Sequence, residues 1–156
     1  MTEQEQKAIE RQEGFRWRHP TAKEVRQRTS PTLEAVYAAP GARTSGNRIY
    51  YVEATKRYKR QPGDRDADCD VLSFIHGWVH ADKSDRVAAA RIGAEVTACD
   101  YNSVAIMHPL GVLHLNAKRL WVVQWSTWGH EQYEILDPAS RKLEPLFATT
   151  AGVCSQ

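Results

Sequence analysis

The sequence of 156 residues holds three cysteines, two methionines and three phenylalanines. Cys69, Cys99 and Cys154 are odd in number and lack the close paired spacing of a zinc finger or a disulfide framework, so at least one free thiol is expected. No apolar run approaches the ~18 residues that mark a transmembrane helix, and the mean hydropathy is −0.57. Met1 to Gln6 carries neither the basic nor the apolar stretch of a secretory leader. A soluble, cytoplasmic chain without membrane contact is the expectation. No internal period recurs, which sets aside repeat architectures. Neither Gly-x-Ser-x-Gly nor His-Glu-x-x-His occurs, so the elbow of serine hydrolases and the helix of zinc proteases are missing.

What is there fits one domain over residues 1–156, with 1–20 as a frayed arm. A 42% hydrophobic, 26% charged composition supplies a core without a metal or disulfide. The net charge of +2 conceals an uneven distribution: Arg11 to Arg60 holds twelve Lys or Arg against four Glu, and an acidic cluster, Asp64, Asp66, Asp68 and Asp70, follows. Arg57, Tyr58, Lys59 and Arg60 interleave cations with an aromatic, as single-strand binders do. These four are the candidate contacts to an acidic protein or nucleic acid; a solvated loop is the plainer alternative.

Helices are expected first. Thr2 and Glu5 have capping-box spacing, Thr21 and Glu24 repeat it, and Pro31 precedes Leu33, Val36 and Tyr37 at helical spacing. Arg48 to Thr55 reads as a strand. In Val71 to Val79 the apolar residues at 71, 72, 74, 75, 78 and 79 form a helical stripe, so a helix is expected although Gly77 weakens it. A further helix follows to about Cys99 through Ala88, Ile92 and Val96. From Ser103 onward short strands alternate with turns at Pro109–Gly111, Asn116–Lys118, Trp128–Gly129 and Asp137–Pro138, an antiparallel meander. The fold class expected is therefore α+β, N-terminal helices followed by a mainly antiparallel sheet. A cone-shaped sheet around a pocket, similar to nuclear transport factor 2, is the alternative and requires residues 71–79 to be a strand.

No cofactor motif is complete. Asp64, Asp66 and Asp68 begin a calcium loop, but Cys69 and Ile75 stand where its glycine and glutamate belong. His76 and His80 on a helix would face one metal, yet two ligands do not make a site. Trp121, Trp125 and Trp128 with Tyr133 line a pocket or fill the core, and core packing is favoured.

Cys69 in the first turn of a helix over 71–79 would be held toward the thiolate by the helix dipole. His114, on a later strand, would be its base, and Asp137, at a strand end, would orient the imidazole. Asp68-Cys69-Asp70 before an apolar helix, a strand histidine and Glu134-Ile135-Leu136-Asp137-Pro138 resemble the core of transglutaminase-like and papain-like cysteine hydrolases over roughly residues 61–140. That resemblance implies a thioester mechanism and an oxyanion donor before the cysteine, for which Gln61 is the matching residue. Two functions follow: a non-catalytic binding or accessory protein using its basic third, which asks less of the sequence, and a small Cys–His–Asp hydrolase or acyl transferase.

Overall fold

The computed structural model describes residues 2–13, 17–39, 48–60, 69–98, 104–138, 140 and 144–153. Strands account for 62% of it, beside two short helices. The order is α1 (Thr2–Gln12), α2 (Lys23–Arg28), β1 (Thr32–Ala38), β2 (Arg48–Tyr58), β3 (Val71–Ala81), β4 (Val87–Ala98), β5 (Ile106–Leu115), β6 (Lys118–Thr127), β7 (His130–Leu136) and β8 (Pro145–Val153). They form two four-stranded antiparallel sheets, sheet A in the order β1-β2-β3-β4 and sheet B in the order β5-β6-β7-β8.

The α+β expectation is thus corrected to a mainly β protein, and three predicted helices are strands. In β3 every residue from Val71 to Ile75 is buried. A central strand covered on both faces has no reason to alternate, and its apolar run imitates a helical stripe. In β4 the run Ala88–Ala90 has high helix propensity, but Val87, Ile92, Val96 and Thr97 are β-branched and β3 lies beside the strand. The third is β1, where Thr32, Val36 and Tyr37 favour the extended chain. A strand over Val71–Ala81 is what the cone-shaped alternative requires, but the eight strands divide into two sheets of consecutive order.

The chain groups into two compact units. Unit 1 comprises 1–36, 52–78 and 90–101; unit 2 comprises 37–51, 79–89 and 102–156.

In unit 1, α1 is docked and not frayed. Its two strongly apolar residues, Ala8 and Ile9, enter a core with Tyr58, Val71, Ile75, Ala94 and Val96. Helical spacing carries Glu5 and Gln12 to the same face. Gln12 Nε2 donates to the Val96 carbonyl at 2.6 Å, and the Glu5 carboxylate, fully buried, accepts from Lys56 Nζ at 2.7 Å and Tyr58 OH at 2.6 Å. Lys56 also donates to the Arg26 carbonyl, and the buried Arg26 guanidinium donates to the Thr21 carbonyl and to Gln6 Oε1. A buried charge is tolerated only when paired in this way.

In unit 2, sheet B is built of hairpins. Asn116 and Ala117, at φ 47° and 62°, make the two-residue turn between Leu115 and Lys118; two positive φ values match the right-handed twist of the flanking strands. Directly opposed residues share a face, so Met107, Trp121, Val123, Trp125, Gln132, Glu134 and Leu136 lie on one side. Met107, Trp121, Val123 and Leu136 of that set are buried core.

Candidate functional site

Where that core-facing side of sheet B approaches the β6–β7 turn it opens into a pocket of about 430 Å³ lined by Ala105, Trp125, Thr127, His130, Glu131, Gln132, Glu134 and Thr150. This volume is within the range of small-molecule sites. Register assembles it: Trp125 opposes Gln132, and Gln132 opposes Thr150. Glu134, two residues along β7, turns to the same face. Its Oε2 accepts the Trp125 indole N–H and its Oε1 accepts the Gln132 amide N–H, both at 2.7 Å. The Trp125 ring is braced edge-on by Tyr51, centroids 5.5 Å apart. Beside them, Tyr133 OH donates to Glu131 at 2.9 Å, and that bond raises the phenol pKa.

The two donors on Glu134 are neutral, and among the described residues no Lys or Arg lines the pocket. The carboxylate is therefore oriented while its charge stays uncancelled by its lining, and each oxygen keeps lone-pair capacity. An aromatic ring beside a fixed negative charge attracts cations.

Unit 1 has a second polar cluster on the face of β3 and β4 turned away from α1. His76 stacks on Phe74 at 5.4 Å with 22° between planes, and its Nε2 lies 3.8 Å from Glu95 Oε1. Burial holds the imidazole pKa below its usual value, favouring the neutral ring. A Cβ on Gly93 would stand 3.3 Å from His76 Nε2, so the glycine gives the ring its place. His76 and His80 do not grip one metal: four strand residues span about 13 Å, and no cluster of three or more metal-ligating side chains occurs among the described residues.

The residues anticipated from sequence are distributed as follows. Cys69 precedes β3 in a bend, without a helix dipole behind it, and is disulfide-bonded. The expected thiolate environment is thereby corrected: its sulfur carries no thiol while the bond stands. His114 is exposed on β5 opposite Arg119, and Asp137 follows β7 at the same end of sheet B, where its carboxylate accepts from Lys118 Nζ at 3.0 Å. Both belong to unit 2 and Cys69 to unit 1. Gln61 lies outside the described residues. Of the basic quartet, Arg57 pairs with Asp70 at 3.3 Å, Tyr58 is buried against Glu5, and Lys59 is exposed while Arg60 is half-buried.

No family model, curated protein or solved structure matches this chain.

Of the pocket residues, Trp125 was among the candidates read from sequence, and Trp121 and Trp128 separate from it clearly: the first is core, the second 68% exposed. Gln132 was not anticipated, and Glu134 entered only through the acid-strand motif. The signal for both is the alternation His130-Glu131-Gln132-Tyr133-Glu134, which sets three polar side chains on one strand face.

Proposed function

We propose that this protein is a non-catalytic binding protein whose pocket between β6, β7 and β8 takes a small organic cation, an amine or quaternary ammonium. The observation that carries this reading is Glu134, fixed at both oxygens by neutral donors beside an indole. An alkylammonium offers charge to the carboxylate and polarised methyl groups to the indole face.

The basic third supports the binding reading less. Arg26 and Lys56 are interior, and Arg48 and Arg57 are paired with Asp85 and Asp70. Among the described residues of that third, Arg11, Arg18, Lys23, Arg28 and Lys59 remain exposed to an acidic partner.

Titration calorimetry with choline, against its uncharged isostere 3,3-dimethylbutan-1-ol, tests the pocket. Choline is expected to bind saturably and the isostere not to bind. Glu134→Gln keeps the shape and removes the charge, and should weaken choline by about tenfold or more, as expected for a hydrogen-bonding or ionic contact to a charged group. Equal binding of the two probes, or an unaffected Glu134→Gln protein, would overturn the assignment.

A further inference from the structure

The sheets end in four edge strands, β1, β4, β5 and β8. Proteins guard such edges with charge, proline or bulges, because a bare row of backbone donors and acceptors recruits another strand. Three of the four are guarded in their interiors: β1 by Glu34, β4 by Arg91 and Glu95, and β5 by Pro109 with the register shift before Gly111. In β8 the only proline, Pro145, is its first residue, and the strand has no charge from end to end. Every residue from Leu146 to Gly152 is exposed, Leu146 and Phe147 by 59% and 56%.

The pairing of β8 with β7 skips Leu146 at one end and Gly152 at the other, so a bulge closes each end of a regular segment over residues 147–151. These bulges are equidistant from Thr149. An antiparallel two-fold pairing centred there would set Thr149 against its own copy, Phe147 against Ala151, and Ala148 against Thr150. Each large side chain meets a small one, and threonine meets threonine across the strands, a favourable pair. No charge is opposed to a like charge, as a lysine at position 149 would be.

We infer that β8 is a homodimerisation edge: two copies join through residues 147–151 about a two-fold axis at Thr149, making one eight-stranded sheet. The two-fold axis makes the contact isologous, so it closes at two copies, and the bulges that bend the strand at both ends confine it to residues 147–151. It uses only sheet B and does not depend on the pocket having a ligand.

Sedimentation equilibrium of the full chain over a range of concentrations reads the result. A monomer–dimer equilibrium is expected, and Thr149→Lys, which opposes two ammonium groups on the axis, should leave only monomer with an unchanged far-UV spectrum. Thr149→Cys provides a second measurement: cross-strand partners sit about 5 Å apart, so under mild oxidation it should give a covalent dimer much faster than Leu33→Cys, which is also exposed, on β1. A chain that stays monomeric, a dimer indifferent to Thr149→Lys, growth into fibres, or equal cross-linking at 149 and 33 would each overturn the inference.

Discussion

At His19, burial first and then the nearby Arg26 charge push the imidazole pKa down from 6.5 to about 4. Its ring stands edge-on to Tyr58, 4.9 Å away, and its Nδ1 accepts the Thr21 N–H, so the neutral form is the one the packing accommodates. The unfolded chain takes up the proton near 6.5 and the folded one resists it until about 4. Stability contributed by neutral His19 is therefore complete above the upper value and is lost progressively as pH falls through that window. For Glu5, burial acts upward, but the bonds from Lys56 and Tyr58 outweigh it and the net shift is downward. Its contribution disappears only in stronger acid, as the carboxylate is protonated. Urea unfolding followed by circular dichroism should show stability declining between pH 6.5 and 4, and His19→Phe should flatten that decline. A wild-type curve already flat there would contradict the account. None of this was legible from residue types: Glu5, His19 and Lys56 read as polar surface. Only the arrival of a helix face on a strand face makes them interior.

Among the elements, β3 and β4 show how a strand can be written in helical residues. Gly77, counted against a helix, is required by the strand. With φ at +150° it lies where L side chains are rarely found, and a Cβ there would stand 2.1 Å from the Arg91 carbonyl oxygen. Gly93 differs, because the atom its Cβ would meet is a ring nitrogen of His76, which can give way. Gly77→Ala should cost about 1–3 kcal/mol from backbone strain alone, with the clash added. Gly93→Ala should cost distinctly less and act by shifting the His76 ring. Chemical denaturation of the two variants side by side measures the difference; equal losses would show that the β3–β4 approach is looser than described. The hairpins of sheet B were legible because turn residues announce them, Asn116 and Gly129 above all. In sheet A only β2 was legible: β3 is covered on both faces and loses the alternation by which strands are recognised, and β1 and β4 carry apolar residues at helical spacing. The pocket was half legible for the same reason: alternation in β7 was visible, but its register against Trp125 belongs to the folded sheet.

On the scale of the whole molecule, the strands of sheet B and the helix α1 differ in how far apart in sequence their partners stand. Sheet B is a run of neighbours, with hairpin turns joining β5 to β6 and β6 to β7. The anchors of α1 are remote: Glu5 finds Lys56 and Tyr58 at 51 and 53 residues' separation, and Gln12 finds Val96 at 84. Local contacts close cheaply, whereas distant ones form after more chain entropy has been lost. During synthesis α1 thus leaves the ribosome before the strands that bury it exist, and it must wait with Glu5 hydrated. Pulsed hydrogen exchange during refolding should find the β6 and β7 amides protected before those of α1. The helix would be made before its seat and fastened after it, and until then the apolar seat formed by Val71, Ile75 and Val96 stands open to any chaperone that reaches it first.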